Sequence, residues 1–296
     1  MRRARIRCAT AALVALALAA APARAWLAEG HRAAVRGALR LLPADLPESF
    51  SGAGETLADL AVDPDLFRNP ATPALAGSEA IEHYLDVERL ADGAWPASRA
   101  EHLASLQARG LAPAEAGSLP WAIEEASERL TVAFALLRRD GGDAAARAQA
   151  LVQGGRVAHH AADAIQPLHT TVHHDGWALP LGGSPLEGHH VRVDALLERV
   201  RFDREGALAG VEARAFADTA AAVRSEILAS HALIDRTYRL APLLARPEGY
   251  ARPEAIAYAC ERYAAAARFV ASLWLTAWER SARLELPDWA RQTAKE

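Results

Sequence analysis

The densest collection of side chains able to do chemistry is HHAADAIQPLHTTVHHDG, residues 159–176. His159 and Asp163 stand four apart, so on a helix they share one face about one turn apart. Pro167 ends that helix, and His169 returns on the turn beyond it. A second segment, GHHVRVD, repeats the device, with His190 and Asp194 again at i and i+4. Upstream stand His83 in EAIEHYLDVERL, Asp63 and Asp65 in LAVDPDLFR, and His31 in AWLAEGH. One histidine on a helix is usually a packed or solvated polar residue, and one His–Asp pair is often only a hydrogen bond. Two such pairs with further histidines around them point to a metal centre. Zinc takes imidazole nitrogen and carboxylate oxygen at about 2.0–2.2 Å in a tetrahedral shell. Cys260 is the only cysteine beyond Cys8, so a thiolate cluster is excluded and any metal falls to histidine and carboxylate.

Holding these side chains rigidly calls for helices. Alanine, leucine, arginine and glutamate dominate, and β-branched runs are scarce. Apolar residues recur at helical spacing near 31–42, 78–90, 98–108, 120–138, 144–165, 187–200, 212–240 and 253–282. Pro120 and Pro253 suit first helical turns, and Glu124 and Glu125 suit the positive end of a helix dipole. Loops are expected at SFSGAGE, RNPATPALAGS and HHDGWALPLGGSPLEG. No repeat or linker divides the chain, so the expected fold is a single all-α domain over residues 26–296.

Residues 1–25 read differently. Arg2, Arg3, Arg5 and Arg7 precede the apolar run CATAALVALALAA, and Ala23 and Ala25 fit a signal peptidase site. At roughly a dozen residues the run is short for a membrane span, and no later segment is long enough. The expectation is an exported protein, periplasmic or secreted, with no transmembrane segment and Trp26 as its first processed residue. The leader takes five arginines with it, moving the formal charge from −4 to −9. That acidity disfavours loose electrostatic binding to nucleic acid or anionic lipid, unless bound divalent cations offset it. Cys8 leaves too, so no intramolecular disulfide is expected.

Taken together, WLAEGH, HYLDVE, HHAADAIQPLH and GHHVRVD resemble the superfamily of zinc-dependent bacterial phospholipases C and fungal and plant single-strand-specific nucleases. The resemblance runs from Trp26 to Asp194. Its most specific parts are the leading tryptophan and the spacing of His159, Asp163, Gln166, Pro167, Leu168 and His169. It implies a helical domain built around three zinc ions. One zinc would take Asp65, His83, His159 and Asp163, and a second would take His169, His190 and Asp194. The third would take His31, Asp163 as a bridge, and the free amine and carbonyl oxygen of Trp26. Cleavage after Ala25 would then create a ligand that the precursor lacks. An α-amine titrates near ~8, and a bound metal would keep it deprotonated. Asp65 is preferred to Asp63 because Arg68 follows it by three, as in the nuclease pattern. His190 is preferred to His189 because only it stands i, i+4 from Asp194. His160, His173, His174 and His189 are expected around the ligands or in solvent, and His102 and His231 at the surface.

The resemblance further implies hydrolysis of a phosphate ester by water activated between the two metals that share Asp163. Asp65 would orient or deprotonate that water, and Arg68 would clamp the phosphate with its planar fork. Asp65, Asp163 and Arg68 are therefore the candidate catalytic residues. The short step from Trp26 to His31, Arg68, and the long excursion from His169 to His190 favour a single-strand nuclease or nucleotidase. GHHVRVD and the lack of disulfides favour the alternative, a phospholipase C acting on phospholipid head groups. Outside the enzymes, the alternative is an exported non-catalytic zinc-binding protein. The second set, with three ligands, argues against it by leaving a position for water or substrate. A monomer is expected.

Overall fold

In the computed structural model, which describes residues 26–139, 143–178, 186–287 and 289, one helix organises the rest. It runs from Ala144 to Ile165 and packs against helices Leu119–Arg139, Pro253–Ser281, Gly54–Leu60, Ala28–Arg40 and Thr219–His231. Asp143 starts it by accepting hydrogen bonds from the Ala145 and Ala146 amides at 3.0 and 3.3 Å, satisfying donors that a helix start leaves open. Gln166 ends it in extended backbone (ψ 114°), as the crowding of a following proline requires. Every residue from Val157 to Ile165 is buried, so the stretch bearing His159 and Asp163 is encased by neighbours. The expected leader, residues 1–25, falls outside the described residues, as does part of the expected loop after His174.

The close packing has a residue-level cause. A Cβ on Gly154 would stand 2.6 Å from the Phe50 ring, and one on Gly155 would stand 2.6 Å from Leu60 Cβ. Both clashes are with the 48–60 segment, which only a bare helix surface lets approach so closely. Phe50 sits edge-on to Phe134 and Trp274, at centroid distances of 4.9 and 5.3 Å. Trp274 in turn donates from its indole to Gly154 O at 2.9 Å. Deleting a buried aromatic of this kind costs about 3–5 kcal/mol.

The fold is all-α, as the composition implies, and the described chain forms a single domain. Among the described residues no strand forms; one isolated bridge joins Leu85 to Gly117. No helix among them is long and apolar enough to cross a membrane.

Four segments depart from the sequence reading. SFSGAGE, expected as loop, is mostly helical, holding the end of helix Glu48–Ser51 and the start of helix Gly54–Leu60, because Phe50 is buried there. The expected helix near 78–90 is the end of helix Pro73–Glu79 followed by two short 3-10 turns, broken by extended backbone at Tyr84. The break lets the Leu85 amide reach His169 O (2.9 Å) and the Asp86 amide reach Ala116 O (2.8 Å), tertiary bonds that replace helical ones. RNPATPALAGS, expected as loop, contains most of helix Pro73–Glu79, with Pro73 on its first turn. Residues 212–218 are not helical, because Arg214 and Phe216 give their amides to Ser272 and Thr276 hydroxyls of the C-terminal helix. Helix Thr219–His231 begins only where Asp218 caps it.

Candidate metal centre

The central helix presents His159 and Asp163 inward, one turn apart, both with no solvent exposure. Three other elements converge on them. His31 comes from helix Ala28–Arg40, His83 from the Ala80–His83 turn, and Asp65 from helix Asp63–Phe67. The Asp163 carboxylate divides between them. Its Oδ2 lies 3.1 Å from His83 Nδ1 and 3.3 Å from His159 Nε2. Its Oδ1 faces the other way, 3.6 Å from His31 Nε2. Asp65 Oδ1 is 3.9 Å from His83 Nδ1 and 3.2 Å from the Arg68 guanidinium. Asp65, rather than Asp63, is the aspartate that joins His83 and His159 in one set.

Beside this cluster lies a second. Pro167 starts a short turn that carries His169, and helix His189–Asp194 supplies His190 and Asp194. His190 Nε2 is 3.0 Å from His169 Nε2 and 3.2 Å from Asp194 Oδ2. Gln166 fixes the aspartate by donating to its Oδ1 at 2.7 Å, while its own carbonyl accepts from the Leu168 amide.

The tautomers are set by the main chain. His159 Nδ1 pairs with Ala61 O at 2.8 Å, His169 Nδ1 with His83 O at 2.6 Å, and His190 Nδ1 with His174 O at 3.1 Å. A carbonyl only accepts, so each Nδ1 carries the proton and each Nε2 turns a lone pair inward. This outer arrangement is the one that metal-ligating imidazoles use. The ligand atoms of His31/His159/Asp163, of Asp65/His83/His159 and of His169/His190/Asp194 lie within 4.8 Å of one another in each set.

Burial makes most of these rings neutral donors. It drives His31 and His83 well below the usual imidazole range, aided by the neighbouring His159, and lowers His169 to about 4 despite Asp163. For His159 and His190 burial also pulls down, but Asp163 and Asp194 respectively overcome it and leave them raised. Burial raises both aspartates, against the pull of their histidines. Both nitrogens of His31, His83 Nε2, Asp163 Oδ1 and Asp194 Oδ2 are buried with no hydrogen-bond partner. Leaving such groups bare costs about 1–3 kcal/mol each, a cost that a divalent cation held at these sets would offset in part. The residues present therefore fit metal ions.

Trp26 is buried, and its indole donates to Ala162 O at 2.9 Å, next to Asp163. The Leu27 amide reaches Asp194 O at 3.4 Å. The chain around Trp26 is thus pinned between the two aspartate-bearing helices, with its main chain against His31. Arg68 is nearly buried, and its charge acts on His83, His169 and Asp194.

Other histidines differ from the sequence reading or refine it. His102, expected at the surface, is buried and stacked on Trp121 at 4.1 Å, with Nε2 on Gly117 O at 2.8 Å. His231 is half-buried, with its Nδ1 on Thr170 O. His189 is buried against Thr237 O, and His173 accepts from the Ala178 amide. His160 lies buried between His83 and His159 on one side and Glu79 and Glu82 on the other. Neither glutamate is evident from the sequence as a partner, because the junction of helix Pro73–Glu79 with the 3-10 turn Ala80–His83, which aims them at His160, has no clear periodic signature.

No family model matches this chain, and no curated protein matches it. Its fold and geometry define a class: an all-α protein with several buried His/Asp/Glu groups suited to metal ions.

Proposed function

We propose that this protein is a zinc-dependent phosphate ester hydrolase with three metals per chain, acting on single-stranded nucleic acid or nucleotides. The observation that carries this reading is the division of Asp163, one oxygen toward His83 and His159 and the other toward His31. A carboxylate so placed suits two neighbouring cations. The first set is Asp65, His83, His159 and Asp163; the second is His169, His190 and Asp194; the third is His31, Asp163 and the Trp26 amine and carbonyl. When bound, such ions supply Lewis acidity, making a water nucleophilic at neutral pH and neutralising phosphoryl charge.

The chain's own residues do the rest. Asp65 keeps about a fifth of its side chain exposed, so it stands where water enters and can accept a proton from it. Arg68 holds Asp65 in place from one side and brings a planar positive charge to the edge of the site, where a phosphate oxygen would meet it. The carbonyls of Ala61, His83 and His174 keep three imidazoles from rotating as charge develops. Such fixed donors and acceptors stabilise a transition state without reorganising.

The test is hydrolysis of bis(p-nitrophenyl) phosphate, lost with chelator and restored by zinc. Single-stranded DNA, RNA and phosphatidylcholine are offered to the same preparation. Cleavage of the nucleic acids supports the nuclease reading, whereas release of a phospholipid head group moves the protein to the phospholipase C branch. Bound zinc with no turnover of any of these makes it a non-catalytic metal protein.

A further inference from the structure

Behind the first histidine set lies a cluster that the phosphoesterase reading does not use. Helix Pro73–Glu79 and the turn that follows it bring Glu79 and Glu82 against His160 of the central helix. His160 Nε2 stands 3.8 Å from Glu79 Oε1 and 3.8 Å from Glu82 Oε2, and all three ligand atoms lie within 4.8 Å of one another. These separations are too long for hydrogen bonds. They match the spacing of donors that surround a small ion at about 2.0–2.2 Å each.

We propose that Glu79, Glu82 and His160 bind a further divalent cation, zinc or manganese by the chemistry of two carboxylates and an imidazole. Two features distinguish the cluster from an ordinary buried ion pair. His160 has no solvent exposure, and neither of its ring nitrogens has a hydrogen-bond partner; Glu79 Oε1 is likewise buried and unpartnered. A neutral imidazole always carries one N–H donor and one lone pair, so a fully buried ring with both unmet calls for something between it and the glutamates. The second feature is how the arginines engage. Arg156 takes Glu79 Oε2 at 2.7 Å and Arg99 takes Glu82 Oε1 at 2.9 Å, leaving the other oxygen of each carboxylate turned to His160. Arg156 also donates a long hydrogen bond to Glu82 Oε2 at 3.3 Å, so this ligand oxygen is shared, whereas Glu79 Oε1 has no partner.

Arginine on the far oxygen of a ligating carboxylate is the outer support that orients metal ligands. Glu82 retains 17 % of its side-chain exposure and Arg156 retains 30 %, so an ion has a route in from solvent. Zinc and manganese both accept such an N/O donor set. The site does not depend on the three-zinc reading, since it shares no residue with those sets. Its place directly behind His83 and His159, with ring centroids 5.6 and 5.3 Å from His160, would let it brace both rings from the rear.

The deciding experiment is crystallographic. The protein expressed from its full sequence is crystallised with zinc chloride, and anomalous difference maps are recorded on both sides of the zinc edge. A peak between Glu79, Glu82 and His160 is expected. Density there without anomalous signal means a water molecule and overturns the proposal, whatever the maps show elsewhere. Peaks at the other three sets report separately on the phosphoesterase centre. In solution, an E79Q/E82Q double variant, equal in shape but uncharged, is expected to hold one metal equivalent fewer than the parent after desalting. Equal content in a folded variant also overturns the proposal, and should the variant fail to fold, the map of the parent decides.

Discussion

His169 and His190 meet ring nitrogen to ring nitrogen, Nε2 to Nε2 at 3.0 Å, while both Nδ1 atoms are committed to main-chain carbonyls. In their neutral forms these rings aim two lone pairs at each other in a buried site. A proton on His190 or a metal ion between the rings turns that repulsion into attraction, and a metal ion does so while both rings stay neutral. Zinc is therefore expected to stabilise the fold, and a chelator to loosen it. With free zinc at a hundredfold over its Kd, one site contributes about 2.7 kcal/mol, a rise of roughly 5–10 °C in Tm for a domain of this size. Differential scanning calorimetry with EDTA and then with added zinc checks this; a Tm that ignores both treatments removes the basis for a metal centre.

Asp163 should be the least replaceable residue, since its two oxygens serve two sets. Asp163→Ala is expected to lose two metals by elemental analysis and at least about a hundredfold in turnover, more than an outer-shell change costs. Retention of three zincs and full rate by that variant sinks the shared-carboxylate scheme.

Which parts of this site are legible in the sequence depends on distance along the chain. The pairs His159/Asp163 and His190/Asp194 are visible because helical spacing alone puts each pair on one face. The stop at Pro167 is visible for the same local reason. What brings the two pairs together is not local. It rests on Gly154 and Gly155 admitting the 48–60 segment, and on Ala61, His83 and His174 offering carbonyls from distant loops. The break at Tyr84 escapes a periodicity reading because Ile81, Tyr84 and Leu85 stand at i, i+3 and i+4, as on one helix face; hydrogen bonds to His169 and Ala116 outweigh that preference. Burial of His102 under Trp121 is hidden likewise, since a single histidine carries no pattern.

Gln166 belongs to the motif by spacing, and the structure gives it a physical task. Its amide donates to Asp194 Oδ1 and its carbonyl receives the Leu168 amide, so one side chain fixes both the aspartate and the turn that carries His169. Gln166→Leu is expected to weaken metal binding about 10–100-fold, the usual loss when an outer-shell partner goes. Competition against a chromophoric chelator measures it, and an unchanged affinity would show that Asp194 needs no such support.

The Trp26 amine is a ligand in the proposed third set only if the chain starts there. Protein beginning at Trp26 is expected to bind one metal more than protein carrying an uncleaved Met before Trp26. The indole contact to Ala162 O survives the extra residue, so folding is preserved and metal content isolates the amine. Equal metal content in the two preparations would rule out the amine as a ligand.

Away from the histidines, Glu124 lines a cleft of about 360 Å³ with Glu128, Asp218 and Arg280. The sequence casts it as a favourable acid near a helix start, but burial, with Glu128, Asp218 and Glu125 adding to it, raises its pKa to about 7. An unfolded glutamate titrates near ~4.3. Between about pH 4.3 and pH 7 the folded chain therefore holds a proton that the unfolded chain has released, and stability falls as pH rises through that window. Above it the loss is complete and the slope from this group vanishes. Glutamine mimics the protonated acid at every pH. Glu124→Gln should thus match the parent Tm near pH 4 and exceed it by a widening margin up to about pH 7, as thermal melts in matched buffers would record. A margin that stays constant across that range would mean Glu124 is solvated like any surface acid.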